Sequence, residues 1–513
     1  MARPTKSKKH RHADARASGK TDEPALGPAS TSTFARLFVP VDITFLVYFR
    51  IVFGVLMLWL GWQHFHHEDI QGNPLSLIDY HYIQPDFHFT YYGFGWVRPW
   101  PGDWVNVHCY LTGLCAVLIT VGLFYRFAAA GFFLGITYLF LLEQANYLNH
   151  YYLICLLSLL MVFVPAHRKF SLDAWLRPRL RSDTAPAWTL WLFRFQFGLV
   201  YFFAGVAKCT PDWFRCEPVR TMLRNKQERF PALADFPAQG QHLFSEEWFV
   251  GLVSYSGMLF DLLIVPLMLW RKTRWAAFAV MLVFHLSNTQ LFHIDIFPWL
   301  MISATVIFFY PDLLVRGSSK HSRVDVNDPA PESKASLLTS RQTLTAALVS
   351  AYVFVQLSLP LRPFLYPGNV LWNGEGFRFS WRMLSRDLQL SEPPRFFARY
   401  RFNGQEIGEE IPIPADNWKR DWQLSRIPRN PDMLLQFVHL QAEGMRRSGA
   451  EDVDIRGVVK LSLNSRVAAD LIDPKVNLAD EPRRLLTPYP WVVPLEVPFE
   501  QRADSTGKSR HGN

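Results

Sequence analysis

The chain has 513 residues, of which 50% are apolar and 15% aromatic, while only 19% are charged. In a soluble protein about a quarter of the residues are charged, so the composition excludes an ordinary soluble domain. The formal net charge of +9 does not indicate nucleic-acid binding. The basic residues crowd the N-terminal tail and alternate loops between apolar blocks, which is the pattern of a membrane protein.

The N-terminal tail, residues 1–36, is basic and rich in Pro, Gly and Ser, which predicts a disordered segment. No apolar core or small-residue cleavage site follows at signal-peptide distance, so we expect the tail to be retained. Residues 37–360 then contain apolar segments of about the length that crosses a bilayer. These segments lie at about 43–63, 105–124, 127–143, 150–166, 188–207, 250–270, 275–292, 294–310 and 342–360. The fold class is therefore predicted to be mainly α, a polytopic membrane bundle of about nine transmembrane helices.

The charges of the loops predict the orientation of this bundle. If the tail lies in the cytoplasm, the loop 64–104, with one arginine against several acids, lies outside, as does the loop 208–249. The basic stretches that then fall inside are Arg126, 167–181, 271–274 and 316–334. This alternation agrees with nine crossings of the cell membrane and puts the C-terminal region on the extracytoplasmic side.

The C-terminal region, residues 361–500, is predicted to form an extracytoplasmic α+β domain. PRFFARYRF-NG-QEIGEEIPI is typical of a β-hairpin, because the Asn403-Gly404 pair accepts the positive φ of a tight turn. NPDMLLQFVHLQAEGMRR predicts an amphipathic helix, and VDIRGVVKLSLNS a strand after it. Residues 501–513 are expected to be a disordered tail.

Lys208 ends the apolar run WTLWLFRFQFGLVYFFAGVAK and precedes a Thr-Pro-Asp-Trp turn. A lysine at a transmembrane end commonly extends to the headgroups as an anchor. In an apolar, protein-walled pocket, desolvation instead disfavours the ammonium and leaves an amine that can act as a base. The small residues Ala204, Gly205 and Ala207 would let another helix or a flat ligand approach closely. Position alone leaves both interpretations open.

The segment VFHLSNTQLFHI places four polar side chains in an otherwise apolar helix: His285, Asn288, Gln290 and His293. Interhelical hydrogen bonds are one explanation. Several polar groups in one helix are costly in lipid, however, which favours a cavity. The predicted orientation puts them on the same side as Lys208.

The segment NYLNHYYL begins the fourth apolar run on that same side. Asn149 is predicted to be the N-cap of this helix, with His150 in its first turn. Tyr147, Tyr151 and Tyr152 are interpreted as an interfacial aromatic belt.

The sequence does not favour a metal or nucleotide site. QHFHHE, at 63–68, is superficially similar to a histidine box of membrane di-iron oxygenases, but no second cluster follows. Haem ligation would need histidines paired on neighbouring helices, and His108 with His285 is a weak candidate. There is no phosphate-binding loop, nucleophile elbow or zinc spacing.

Several segments carry a resemblance to one family. In the membrane part they are FRFQFGLVYFFAGVAKCTPDW, ANYLNHYYLICLLSLLMVFVPAHRKFSLD and FHLSNTQLFHIDIFPW. In the C-terminal domain they are LWNGEGFRFSWRM and LSLNSRVAADLIDPKVNLAD…PYPWVVPL. The chain resembles the vitamin K-dependent γ-glutamyl carboxylase family, in a bacterial-type form, through most of residues 40–495. The AG-x-x-K motif followed by the D-W turn is the most specific match.

The resemblance implies an integral membrane γ-glutamyl carboxylase/epoxidase that depends on reduced vitamin K, a naphthoquinol. In that chemistry the amine of Lys208 deprotonates the quinol, and the anion reacts with O2 to give a strong base. The base takes a γ-proton from a glutamate, and the carbanion captures CO2, leaving vitamin K epoxide. A dry pocket at the membrane edge is required, because water would quench such a base. No metal is needed.

The same resemblance assigns roles to individual residues. The catalytic residues would be Lys208, His150 and Asn149. His285 would bind the quinol; Asn288 and Gln290 are added as quinol-binding candidates because they are polar residues of the same helix, although Gln290 points to another face. The segment associated with the glutamate substrate would contribute Trp372, Asn373, Phe379, Ser380 and Trp381. The expected partners are membrane lipid, the quinone and a glutamate-containing protein or peptide, and no nucleic acid.

Departures from the family leave alternatives open. The animal enzymes link a membrane segment to the second domain by a disulfide, whereas the C-terminal domain of this chain has no cysteine. Whether Cys209 and Cys216 pair with each other is left open. The alternatives are a quinol epoxidase without carboxylation, a non-enzymatic membrane transporter or lipid-binding protein, and a haem or di-iron oxidoreductase.

Overall fold

The computed structural model describes residues 33–68, 72–234, 236, 242–292, 294–309, 338–413 and 421–496, with two short strands beyond them. Most of the two predicted tails lies outside the described residues. Of the first tail only the helix Thr33–Arg36 is described. Of the second, the strands Arg502–Ala503 and Ser509–Arg510 are described, and they pair antiparallel.

Each apolar segment predicted from the sequence contains a helix. The helices are α1 Thr44–Phe65, α2 Trp104–Val121, α3 Tyr125–Leu142, α4 Asn149–Phe163, α5 Ala187–Lys208, α6 Glu247–Leu269, α7 Arg274–Phe292, α8 Phe297–Thr305 and α9 Ser340–Leu361. Among the described residues, seven of these are long and apolar enough to cross a membrane, while α4 and α8 are shorter. The protein is therefore a mainly helical, polytopic membrane protein, as predicted.

Helix α8 is shorter than the predicted segment 294–310 for a local reason. Asp295 has a left-handed φ of 38°, and Pro298 lies in the first turn of the helix, where its missing N–H is not needed. The apolar run continues beyond Thr305 as the 3₁₀ turn Val306–Phe309. Residues 294–296 are thus a loop, and this loop carries an acid close to α4.

Helix α5 is the most deeply buried of the seven long helices, and α6 packs against it. A Cβ added at Gly205 would lie 2.7 Å from the Leu262 side chain and 3.0 Å from its backbone nitrogen. Glycine is therefore needed for the two backbones to come this close, which confirms that small residues here admit another helix. The close approach carries Asp261, next to Leu262, to the end of α5.

Short elements connect the helices. The strands Pro40–Asp42 and Thr184–Pro186 pair antiparallel and hold the starts of α1 and α5 side by side. The remaining short strands of the membrane part are His67–Glu68 and Pro74–Leu75, and the short α-helices are Leu172–Leu176, Pro211–Phe214, Glu217–Arg224, Val370–Asn373 and Asp421–Leu424.

The C-terminal domain is α+β, as predicted. Its elements are β1 Leu388–Leu390, β2 Arg395–Phe402, β3 Gln405–Pro412, helix α10 Pro431–Arg447, β4 Ala450–Val458, β5 Lys460–Leu463 and β6 Ala469–Asp470. They form two antiparallel sheets with strand orders β3-β2-β4 and β6-β5-β1. The predicted hairpin is confirmed as β2–β3, and its turn residues Asn403 and Gly404 have φ of 50° and 76°.

Two further elements of this domain match the sequence, one of them with a difference. Helix α10 begins after Asn430, whose side-chain oxygen accepts a hydrogen bond from Met433 N at 3.1 Å. The predicted strand VDIRGVVKLSLNS is two strands, because the chain passes from the sheet of β4 to the sheet of β5 at Val459.

The hydrophobic cores of the two parts interlock. Trp381 of the C-terminal domain belongs to the core of the membrane helices, while Phe89 and Ala145 of the membrane part belong to the core of the C-terminal domain. Polar groups cross the same boundary, since Gln423 Nε2 donates to Glu143 Oε2 at 3.0 Å. The C-terminal domain therefore closes one end of the helical bundle.

Candidate active site

Lys208 lies inside the protein at the end of α5 and is only 5% exposed. Its Nζ donates hydrogen bonds to Asp261 Oδ2 at 2.7 Å, to Met383 O at 3.3 Å and to Ala204 O at 3.4 Å. It also lies 5.2 Å from the centre of the Trp213 ring. A side chain that extends to lipid headgroups as an anchor would be exposed, whereas this amine is enclosed by two helices and the C-terminal domain.

Lys208 faces a cavity of ≈ 490 Å³ between the helices and the C-terminal domain. This volume is within the roughly 300–1,000 Å³ of small-molecule sites. Polar side chains from four helices and one loop reach it: Asn149, His150, Tyr201, Lys208, Asp261, His285, Asn288 and Asp295. The C-terminal domain adds Phe377 and the stretch 382–386. Three of the residues assigned from the resemblance to catalysis, and two assigned to the quinol, thus line one cavity.

Two histidines of this cavity have a ring nitrogen without a hydrogen-bond partner among the described residues. The Nε2 of His285 is hydrogen-bonded to Tyr201 OH at 2.8 Å. The other ring nitrogen of His285, Nδ1, is buried and unpaired. The Nε2 of His150 is also buried without a hydrogen bond, and it lies 3.6 Å from Asp295 Oδ2. Buried polar atoms are normally satisfied, so two such atoms in one cavity indicate a place for a hydrogen-bonding ligand.

Asn149 lies in this cavity, but it does not cap its helix. The N-cap of α4 is Leu148, and no side chain bonds the first turn there, so the prediction that Asn149 is the N-cap was wrong. Its Oδ1 instead accepts a hydrogen bond from Tyr147 OH at 3.0 Å. The backbone N–H of Phe379 donates to the same hydroxyl at 2.8 Å. The chain uses Asn149 to connect the site with the C-terminal domain.

The tyrosines of NYLNHYYL do not form the predicted interfacial belt. Tyr152 is 8% exposed and stacks on Trp381 at 5.0 Å. Tyr147 packs against Phe379, and the hydroxyl of Tyr151 lies 2.9 Å from His64 Nε2. The belt interpretation failed because the C-terminal domain covers this end of α4, so the aromatic rings meet protein and not an interface.

The polar residues of α7 divide between two faces. His285 and Asn288, three residues apart, both reach the cavity. Gln290 is exposed and donates only to the neighbouring Thr289 Oγ1, at 3.4 Å, so the structure leaves this predicted quinol-binding residue outside the cavity. His293 lies outside the described residues.

The five residues assigned to the glutamate substrate do not line the Lys208 cavity. Trp372 and Asn373 make hydrogen bonds within the C-terminal domain. Trp372 Nε1 donates to Val493 O at 2.9 Å, and Asn373 Nδ2 donates to Glu375 Oε2 at 3.0 Å. Ser380 Oγ donates to Phe377 O at 2.6 Å and is buried.

The other two of the five, Phe379 and Trp381, pack against other parts of the protein. Trp381 is fully buried among the membrane helices. Phe379 faces a second cavity of ≈ 460 Å³. The residues of this segment that reach Lys208 are the next ones along the chain, because left-handed φ angles at Phe379 (64°) and Trp381 (57°) turn the backbone twice.

Several residues of the site were missed from the sequence. Asp261, which contacts Lys208, is the only charged residue between 248 and 270, and an acid inside an apolar run is itself a functional signal. Tyr201, Asp295 and Arg382 carried no comparable signal, because their roles depend on contacts between distant segments.

The described cysteines and histidines form neither a disulfide nor a cluster with metal-binding geometry. All five cysteines are free thiols, including Cys209 and Cys216. Within the part of the chain that the structure describes, no group of three or more His, Cys, Asp or Glu side chains has the geometry to hold a metal ion.

Comparison with known protein families agrees with this architecture. Residues 38–313, more than half of the chain, match the HTTM domain family, and residues 341–497 match the lumenal domain of vitamin K-dependent gamma-carboxylase. No solved structure matches the chain at a significant level. The two matches follow each other in the order of the membrane helices and the C-terminal domain, so the chain belongs to the vitamin K-dependent gamma-carboxylase family.

Proposed function

We propose that this protein is a membrane naphthoquinol-dependent γ-glutamyl carboxylase/epoxidase in which Lys208 is the catalytic base. The observation that carries the proposal is the burial of Lys208 in a cavity that His150 and His285 also line. The division into a membrane part, 37–360, and a C-terminal domain, 361–500, belongs to this proposal. So does the orientation with the N-terminus in the cytoplasm and the C-terminal domain outside the cell membrane.

The residues present fit a reduced naphthoquinone. Phe284, Phe292 and Phe297 give the cavity aromatic walls suited to a flat ring system. The unpaired Nδ1 of His285 would hydrogen-bond one of its oxygens, and Nε2 of His150, which makes no hydrogen bond but lies 3.6 Å from Asp295 Oδ2, would hydrogen-bond the other. When bound, the quinol supplies, by reaction with O2, the strong base that removes the γ-proton of a glutamate before CO2 is added.

The Lys208–Asp261 pair provides a proton transfer that can make the Lys208 amine neutral, for which the sequence analysis named no acceptor. The amine and the carboxylate are 2.7 Å apart and both are buried, with side chains 7% and 6% exposed. Transfer of one proton from the ammonium to the carboxylate converts an ion pair into a neutral amine and a neutral acid. Such a transfer leaves no separated charge in a dry site, where separated charges are costly. The neutral amine can then accept the proton of a quinol hydroxyl.

The C-terminal domain is proposed to limit the access of water to this chemistry. Met383 O accepts a hydrogen bond from Lys208, and the stretch 382–386 forms part of the cavity wall. A strong base formed here would meet few competing proton donors. Asn149, tied through Tyr147 to Phe379, keeps this cover in place over His150.

The test is Lys208→Ala in the purified, reconstituted protein. We expect the rate of quinol epoxidation to fall by roughly 10²–10⁴-fold, the usual contribution of a general base, while thermal unfolding still shows a folded protein. Lys460→Ala is the matched control, because that side chain is 42% exposed on the C-terminal domain. Epoxidation by Lys208→Ala at the wild-type rate would contradict the proposal. Incorporation of labelled bicarbonate into a glutamate peptide separates a carboxylase from an epoxidase that does not carboxylate.

A further inference from the structure

Arg382 is a buried cation in the Lys208 cavity that lacks a partner. It is 8% exposed and lines the cavity. Its Nε is buried without a hydrogen bond, and no described residue accepts a hydrogen bond from its guanidinium or pairs with it. An arginine remains charged in a protein, and a buried, unpaired charge is costly. The position therefore needs an explanation other than stability.

The acids of the cavity are engaged by other groups. Asp261 pairs with Lys208 at 2.7 Å. Asp295 lies 3.6 Å from His150 Nε2 and accepts a hydrogen bond from Tyr151 OH at 3.5 Å. Burial lowers the pKa of the Arg382 guanidinium, and no neighbouring carboxylate opposes this effect. Arg386, the other arginine that lines the cavity, donates to the carbonyl oxygens of Leu371 and Arg429. Among the described residues, the guanidinium of Arg382 thus has neither a carboxylate counter-ion nor a hydrogen-bond acceptor.

The backbone holds Arg382 beside the catalytic base. Trp381 and Leu384, on either side of it, have left-handed φ of 57° and 52°. Such angles in bulky residues are strained and persist where the surroundings enforce them, frequently at functional sites. The next residue, Met383, accepts the hydrogen bond of Lys208 through its carbonyl oxygen. Arg382 and Lys208 therefore line the same cavity.

We propose that Arg382 binds a carboxylate, the group that a glutamate side chain presents. This inference rests on the proposed function, since it identifies which substrate group enters the Lys208 cavity. The planar guanidinium forms two parallel hydrogen bonds with a carboxylate. When the γ-proton leaves, the electron pair of the C–H bond spreads onto the carboxylate oxygens before it forms the new bond to CO2. A fixed cation at those oxygens stabilises the added negative charge.

The test is binding of peptides to the full-length protein in detergent, measured by calorimetry. The probes are a short apolar peptide with one glutamate, the same peptide with glutamine, and oleate, which offers a carboxylate from a lipid source. We expect wild type to bind the glutamate peptide roughly 10- to 100-fold more tightly than the glutamine peptide, the value of a charged hydrogen-bonded contact. Arg382→Gln should lose that preference, and Arg382→Lys should retain part of it.

The control is Arg399→Gln on the exposed hairpin, where Arg399 is 45% exposed, and its preference should equal that of wild type. If Arg382→Gln does not fold, the test is Arg382→Lys, whose preference for the glutamate peptide over the glutamine peptide should be smaller than that of wild type. Wild-type discrimination in both folded variants would overturn the proposal. Arg382-dependent binding of oleate but not of the peptide would support a carboxylate site and overturn glutamate as its source. Peptide binding is measured without quinol, so a failure to detect quinol epoxidation would not change the interpretation of the binding result.

Discussion

Replacing Asp212 with asparagine breaks an ion pair that joins the end of α5 to the C-terminal domain. Arg466 donates from Nη1 to Asp212 Oδ2 at 2.7 Å and from Nη2 to Oδ1 at 2.6 Å. Asn464 Nδ2 donates to Oδ2 at 2.6 Å. Asp212 follows Lys208 by four residues, so this pair fixes the turn that follows Lys208, the proposed base.

The size of the effect follows from burial. The side chains of Arg466 and Asp212 are 8% and 7% exposed. An exposed ion pair contributes about 0–1 kcal/mol, but removing one partner of a buried pair costs about 3–5 kcal/mol, because the other charge is left uncompensated. We therefore expect Asp212→Asn to lower the free energy of unfolding by about 3–5 kcal/mol. Glu443→Gln is the matched control, since Glu443 and its partner Arg447 are 59% and 75% exposed.

The assay is a denaturant titration of the detergent-solubilised protein, followed by tryptophan fluorescence, for both single variants and for Asp212→Asn with Arg466→Gln. Burial raises the pKa of Asp212, but the hydrogen bonds from Arg466 and Asn464 outweigh it, so the pKa lies below its ordinary value. A depressed pKa stabilises the fold above the ordinary value of about 4 and loses that contribution as the pH falls further. The penalty of Asp212→Asn should therefore shrink in acid. A penalty no larger than that of Glu443→Gln would refute the reasoning.

Two further predictions concern the base and the domain boundary. Asp261→Asn should lower the rate of quinol epoxidation by roughly 10²–10⁴-fold, because Lys208 loses the group that takes its proton, and Asp261→Glu should recover part of it; wild-type rates in Asp261→Asn would contradict this. Burial raises the pKa of Glu143 to about 8, so stability should decline as the pH rises from about 4.5 to about 8, and Glu143→Gln should remove the decline. Equal pH slopes in thermal unfolding of the two proteins would contradict it.

The membrane helices were predictable because their signal is local. An apolar run of about 20 residues forms a helix in a bilayer, because within one segment only a helix hydrogen-bonds all of its backbone N–H and C=O groups there. Every predicted segment accordingly contains a helix. The hairpin β2–β3 was predictable for a similar reason, because Asn403 and Gly404 supply the positive φ of a two-residue turn.

Side-chain direction on a helix was predictable in part. The spacing of three between His285 and Asn288 places both on one face, and both reach the cavity. Gln290 follows His285 by five residues, which is close to a turn and a half, so it lies on the far side. The spacing already indicated this, whereas the assignment of Gln290 to the quinol rested on its polarity alone.

The substrate segment shows what a sequence does not encode locally. Residues 382–386, which directly follow the predicted substrate segment, line the cavity, whereas the five predicted residues do not. Which residues of the segment face Lys208 depends on the left-handed turns at Phe379, Trp381 and Leu384. Bulky residues rarely adopt such angles on their own, so only the packed structure imposes them. The resemblance accordingly indicated the segment with Trp372, Asn373, Phe379, Ser380 and Trp381, and did not single out Arg382.

The C-terminal domain meets the site through backbone hydrogen bonds and through one side chain. The backbone contacts hold the domain in place, whereas the side chain can select a ligand. Met383 O and Phe379 N bind Lys208 and Tyr147 through the backbone, so substitutions of those two side chains would leave the hydrogen bonds in place. Arg382 contributes its side chain, and that side chain has no partner among the described residues. A domain that only covered the base would gain stability from an apolar residue at this position. The proposed carboxylate ligand would bring the negative charge that a buried arginine at this position needs.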